Sequence, residues 1–160
     1  MKVIILGSGR VGSSIAHELI RRGHHVAVLD HDPDSLLRLG GDSFPGDFLV
    51  GEALDSELLE RADIEHADAF IACTDADNTN LVIAQIAHRR YQVDRVVVRV
   101  FDPDKADLYK NTGLKVVCPT VRAISEMVAQ ADPEGGPLVT SSLESEVSEV
   151  LAAADPTAGS

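Results

Sequence analysis

Val3-Ile4-Ile5-Leu6-Gly7-Ser8-Gly9-Arg10-Val11-Gly12 is the stretch that decides the fold. A short apolar run, as expected of a strand buried on both faces, leads straight into G-x-G-x-x-G. Gly7 permits a tight turn, Gly9 lets the backbone approach a pyrophosphate, and Gly12 lets the following helix pack close to the strand. That helix, expected over residues 11–22, points its N-terminal N–H groups and positive dipole end at the phosphates. A second apolar strand over 25–29 ends at Asp30, 23 residues after Gly7. A carboxylate there accepts hydrogen bonds from ribose hydroxyls. A lone G-x-G-x-x-G is weak evidence; set between strand and helix, with an acid after the next strand, it specifies a nucleotide-binding Rossmann unit.

Outward from this motif, strand and helix alternate. Helix is expected over 34–39, strand over 48–50, helix after Asp55 through Arg61, and strand over 69–73. A polar turn at 74–78 then opens a helix to Arg90. Strand 96–101, helix 104–112 ended by Gly113, strand 115–118 and a helix from Pro119 to Ala131 follow. The rhythm predicts an α/β doubly wound parallel sheet of six strands, order 3-2-1-4-5-6, with helices on both faces. The ligand crevice lies above strands 1 and 4.

The 160 residues suffice for one domain with a real core. The reading divides them into a nucleotide-binding domain over 1–131 and an acidic linker and tail over 132–160. Pro133-Glu134-Gly135-Gly136-Pro137 is a linker signature, and residues 142–153 carry an amphipathic pattern too short to be a stable helix alone. Net charge is −12, and residues 123–160 hold seven acids and no Lys or Arg. The first 122 residues set 14 bases against 19 acids. Neither part offers a basic field for nucleic acid or anionic lipid. No apolar run approaches a membrane span, and the N-terminus enters the first strand at once, which predicts no signal segment. Cys73 and Cys118 fit small buried residues in a reducing compartment, and the six histidines lack metal-ligand spacing and read as surface residues.

The candidate site residues follow from position. Arg10, inside the glycine loop, can reach a phosphate. After Asp30, His31 and Asp32 bring no cation, so a 2′-phosphate meets carboxylates and NADP is disfavoured. Glu52, followed by Ala53, leaves the third strand at the carboxyl edge of the sheet. Thr74, Asp75, Asp77, Asn78 and Asn80 cluster at the switch point of the sheet, more small polar residues than helix capping needs. Arg99 interrupts an apolar strand. It ends at an anionic ligand in the crevice or pairs with an acid such as Asp75 or Asp102.

Together these stretches resemble the TrkA-N, or RCK/KTN, domain. The resemblance runs through strand, G-x-G-R-V-G with Val11 in its usual place, H-x-V-x-V-x-D, Gly51-Glu52-Ala53, Thr74-x-x-Asp77-x-x-Asn80-Leu81, Val98-Arg99-Val100 and Asp102-Pro103. It covers about residues 1–131. It implies a cytoplasmic, non-catalytic regulatory domain of a potassium uptake system or channel, peripheral to the membrane through a partner subunit. Such domains bind NAD(H) or ATP, ADP or AMP and form homodimers or larger rings. The family's nucleotide positions fall on Gly7, Gly9, Arg10, Gly12, Asp30, Glu52, Thr74, Asp77 and Arg99. There are two departures. Glu52 replaces the usual Asp, and the second lobe that normally follows the crossover helix is missing. Either a separate subunit supplies it, the chain is truncated, or this is a minimal nucleotide-binding subunit. A small NAD-dependent oxidoreductase is the competing reading. It wants a substrate domain or a proton-relay residue facing the nicotinamide, and Tyr91 and Tyr109 fall on predicted helices away from the strand ends.

Overall fold

The structure, a computed structural model, describes residues 1–135. Six parallel strands form one sheet: β1 (Lys2–Leu6), β2 (His25–Asp30), β3 (Asp47–Val50), β4 (Ala69–Ala72), β5 (Arg95–Arg99) and β6 (Lys115–Val117). Their order is β3-β2-β1-β4-β5-β6, as the alternation predicts. The helices are α1 (Arg10–Arg21), α2 (Ser56–Arg61), α3 (Asp77–Arg89), α4 (Pro103–Tyr109) and α5 (Pro119–Ala131).

Side chains alternate across the sheet and build two cores. Val3, Ile5, Val26 and Val28 face α1 and the segment after β2, packing on Ala16 and Leu39. Ile4, Leu6, Ala27, Leu29, Phe70, Val96 and Val98 face the other way, onto Leu58 and Leu59 of α2 and Leu81, Ile83, Ala84 and Ala87 of α3. In register, Ile5 sits between Val28 and Ile71. Every strand therefore ends at the same edge, and the loops that leave that edge are brought together.

Local structure departs from the sequence reading at several places. The segment after β2 is a 3-10 helix, Pro33–Leu39, rather than an α-helix. Asp32 caps it by accepting the Asp34 N–H at 2.9 Å, and Gly40, at φ 101°, ends it. A further 3-10 turn, Ile64–His66, follows Asp63, whose left-handed backbone (φ 59°) is held by contacts of its carboxylate with Lys2 and His66. β5 stops at Arg99 because the next free N–H groups, of Phe101 and Asp102, donate to Asp77 instead of continuing the ladder. His88 is half-buried, its ring packed where a Cβ on Gly113 would lie. His24 is half-buried as well, so two of the six histidines leave the open surface. Both cysteines are buried and free. Among the described residues no helix is long and apolar enough to cross a membrane. The amphipathic segment 142–153 lies outside the described residues.

Phe70 is the largest fully buried side chain. Phe70→Ala should cost about 3–5 kcal/mol by denaturant titration. Leu37→Ala, at a residue 75% exposed, should stay within about 0.5 kcal/mol.

Candidate functional site

The site is the carboxyl edge of the sheet where β1 and β4 part company. Two of the three motif glycines are demanded by the protein itself. Gly7 adopts φ 96°, and a Cβ there would meet the Thr74 backbone N at 3.0 Å. A Cβ on Gly12 would lie 1.8 Å from the Gly7 carbonyl oxygen. Gly9 differs. Its backbone, φ −63° and ψ −171°, is open to any residue, and a Cβ there would meet nothing within 4 Å. No neighbour in the chain requires glycine at this position; the space in front of it lies open.

Gly9 also caps α1, with no side-chain bond to the first turn and no acid in that turn. The first N–H groups of the helix therefore face the crevice without acceptors among the described residues, the arrangement that receives an anion. Arg10 and Val11 follow, both exposed, Val11 at 44%. Opposite, α3 starts after Ala76, again with no side-chain cap.

Asp30 sits at the end of β2, buried but for 8% of its surface. Its Oδ2 accepts the backbone N–H and the hydroxyl of Ser8, each at 2.7 Å. Its Oδ1 accepts the Asp32 N–H at 3.0 Å and lies 3.3 Å from Nδ1 of the exposed His31. Burial works against the charge, but the bonds from Ser8 and Asp32 and the neighbouring His31 outweigh it, and the carboxyl is held below its ordinary pKa. Beside it, the Gly51 N–H donates to the Asp30 carbonyl at 3.0 Å, which brings the exposed Glu52 and half-buried Ala53 to this end of the crevice.

Between the two loops lies Cys73. Its thiol is 3.4 Å from the Leu6 carbonyl oxygen and 3.5 Å from that of Gly7. Burial pushes its pKa up to about 11, with Arg99 working in the opposite direction, so it remains a neutral donor inside the turn. On the far wall, Asn80 is fully buried. Its Oδ1 accepts the Thr74 N–H at 3.0 Å and the Thr74 hydroxyl at 2.7 Å. Its Nδ2 donates to the carbonyls of Thr74 at 2.8 Å and Arg99 at 3.1 Å. The Asp77 carboxylate accepts the N–H groups of Phe101 (2.8 Å) and Asp102 (2.9 Å). Arg99 donates through Nη2 to the Thr74 carbonyl at 2.9 Å and lies 4.6 Å from the centre of the Phe101 ring. Its Nε is buried and has no partner among the described residues. Of the two roles expected for Arg99, pairing with Asp75 or Asp102 is not adopted here.

The structure thus brings Gly7, Gly9, Arg10, Val11, Gly12, Asp30 and His31 to one side and Thr74, Asp77, Asn80 and Arg99 to the other. Asp75 is exposed on the same loop. An open cavity of about 300 Å³, lined by Asp75, Asp77, Asn78, Phe101 and Lys105, continues the crevice beyond β4 and β5. Ser8, Phe101 and Lys105 escape the sequence reading. Ser8 lies inside the glycine motif as an unspecified position, and Phe101 is concealed by the apolar run that precedes it.

The model of the TrkA-N domain matches residues 3–119. The chain belongs to the TrkA-N domain family. Among its relatives, the Trk system potassium uptake protein TrkA of Streptomyces coelicolor is 38% identical over 135 residues, covering 84% of this chain and 60% of that protein. The TrkA of Mycobacterium tuberculosis is 32% identical over 133 residues, 82% of this chain and 59% of that protein. The chain therefore spans about 60% of the length of these TrkA relatives. Among solved TrkA-N-like structures, the Shewanella denitrificans Kef CTD in its AMP-bound form is 27% identical with a TM-score of 0.72, covering 96% of this chain and 91% of that one. The TrkA-N domain of the inner membrane protein ybaL from Escherichia coli, 19% identical with a TM-score of 0.70, covers 81% of this chain and 95% of that one and shows the same fold.

Because Asp30 is more acidic folded than unfolded, its bonds stabilise the protein above the ordinary carboxyl range and are lost as pH falls through and below it. Ser8→Ala should cost roughly 1.5–3 kcal/mol at pH 7, the worth of a hydrogen bond to a charged group. The difference from wild type should shrink towards pH 3, as measured by denaturant titration across that range.

Proposed function

We propose that this chain is a nucleotide-sensing regulatory domain of a potassium transport system, not an enzyme. In this reading residues 1–131 form the sensing domain and 132–160 an acidic tail. The domain binds NAD(H) or an adenine nucleotide, works on the cytoplasmic side as a homodimer or larger ring, and acts on a membrane transporter or channel subunit. The second lobe that the family resemblance implies would come from a separate chain or from residues beyond this one, or be dispensed with in a minimal nucleotide-binding subunit.

The observation that carries this reading is Gly9. It is a glycine that the fold does not need, facing open space at an uncapped helix N-terminus. A phosphate group seated there would accept N–H bonds from the first turn of α1, and any Cβ at position 9 would stand in its way. Arg10 would neutralise a phosphate from the rim, and Arg99 from the far wall. Asp30 would offer Oδ1 to a ribose hydroxyl once the exposed His31 turns aside. Asp32, Asp34 and Glu52 around that end leave no cation for a 2′-phosphate, so NADP would bind poorly. The AMP bound to the Kef relative supports an adenine nucleotide as one occupant. The residues fit the role of binding and discrimination.

Regulation would follow from linkage. A nucleotide that favours one arrangement of the assembly shifts the population towards it by its difference in affinity, and no more.

Calorimetric titration of the pure protein with NAD, NADH, ATP, ADP and AMP tests the reading; absence of binding to all five would contradict it. Two glycine variants sharpen the test. Gly9→Ala should fold normally, with stability unchanged or raised by about 0.4–1 kcal/mol, yet lose nucleotide affinity by about tenfold or more, the effect of about 1.4 kcal/mol. Gly12→Ala, with its Cβ 1.8 Å from the Gly7 oxygen, should fail to fold or be severely destabilised.

A further inference from the structure

The far wall of the crevice is joined to α4 first of all through the Asp77 carboxylate. Asp77 is the first residue of α3, and both of its oxygens are taken by backbone N–H groups of the connection that leaves β5. Those N–H groups belong to Phe101 and Asp102. Asp102 is in turn the cap of α4, its side chain accepting the N–H groups of Asp104 at 3.0 Å and Lys105 at 3.2 Å. So α4 hangs by its capping residue from the first residue of α3. A second tie runs from Lys105 Nζ to Asn78 Oδ1 at 3.1 Å. Phe101, one residue before the cap, has its ring stacked on the Arg99 guanidinium. That guanidinium has a bond to Thr74 and a buried Nε with no partner among the described residues. At its far end α4 carries Leu108, 76% exposed.

From this chain of contacts we propose that Asp77 is a positioning residue that couples the anion-binding wall to α4, rather than a ligand contact. The inference rests on the nucleotide reading above and names a route by which occupancy is communicated. An anion drawn to Arg99 fixes the guanidinium, and with it the Phe101 ring stacked on it. Phe101 cannot settle without its own N–H, and that of Asp102, settling on Asp77. The cap of α4, and the surface around Leu108, then take one position. Removing the carboxylate cuts the backbone link while leaving Gly9, the first turn of α1, Asp30 and Arg99 in place. The Asp77 oxygens already serve the Phe101 and Asp102 N–H groups, and the carboxylate's charge would repel a phosphate.

Hydrogen–deuterium exchange at short labelling times, read by mass spectrometry with and without saturating AMP, tests the proposal on the full chain. In wild type, AMP should slow exchange in residues 100–109 by about fivefold or more, within the usual range of coupling between sites. Asp77→Ala should bind AMP within about threefold of wild type, the tolerance expected of a residue that makes no contact, yet lose the slowing at 100–109. Asp77→Asn, which keeps one acceptor oxygen, should restore part of it. Three results overturn the proposal while sparing the nucleotide reading: loss of AMP binding in a folded Asp77→Ala protein, an undiminished response of 100–109 in that variant, or AMP binding to wild type with no response there. If Asp77→Ala fails to fold, Asp77→Asn carries the comparison: a partly lost response at 100–109 supports the proposal and an undiminished one overturns it. If wild type binds none of NAD, NADH, ATP, ADP and AMP, the nucleotide reading itself fails, and this proposal with it; if it binds another of the five but not AMP, the same comparison is made with that nucleotide.

Discussion

The carboxylate of Asp30 holds the backbone N–H and the hydroxyl of Ser8, each at 2.7 Å, and so ties the glycine loop to the end of the neighbouring strand. The loop has few other means of keeping its shape. Gly7 and Gly9 have no side chains to pack, and Ser8 between them is fully buried with both its N–H and its hydroxyl spent on Asp30. Gly7 N–H donates to Leu29 O at 2.8 Å, one residue before Asp30, so the backbone and the side chain of the same strand end grip the loop together. Once it is fixed, α1 starts where its open N–H groups meet the crevice, and Gly12 can lie against the Gly7 carbonyl. The carboxylate stays ionised in a nearly closed place because three protein donors surround it. One group thereby sets the loop, the start of the helix and the position of Oδ1, held by the Asp32 N–H at the crevice.

The opposite wall is organised by the same economy of polar side chains. Asn80 ties the β4 exit to β5, and Asp77 ties α3 to the connection that leads to α4. The glycine-loop wall is organised before any ligand arrives, which lowers the ordering cost of binding. Among the described residues the open elements are the Gly9 face, the first turn of α1 and the Nε of Arg99, with Asp30 Oδ1 taken by the Asp32 N–H alone of the backbone donors.

Much of this was legible in the sequence, for physical reasons. Strand order followed from the alternation of strand and helix, since parallel strands need crossovers and the crossovers have a fixed hand. The glycine loop and Asp30 were legible because their spacing is set by the length of one helix and one strand. What the sequence could not show was how polar groups divide between holding the fold and facing the crevice. Thr74, Asp77 and Asn80 read alike as small polar residues after a strand. Only the contacts distinguish the fully buried Asn80 and the doubly bonded Asp77 from the exposed Asp75. The end of β5 was misplaced because Phe101 extends an apolar run, while the capture of its N–H by a residue 24 positions earlier leaves no mark in local pattern. Likewise Gly7, Gly9 and Gly12 are equivalent in the motif, and only the space around each shows that the middle one is not required by the fold.

The central claim, that the open face of Gly9 receives the phosphate of an adenine nucleotide, is tested most directly by following backbone amide resonances during titration with AMP and NAD. The account predicts that the largest shifts fall on Gly9, Arg10, Val11 and Gly12, with a second group at Asp30, His31 and Thr74. The opposite edge of the sheet, around Lys2, Asp63 and Arg95, should stay unmoved. Saturating nucleotide that leaves residues 9–12 unshifted, or that perturbs only the far edge, would contradict it.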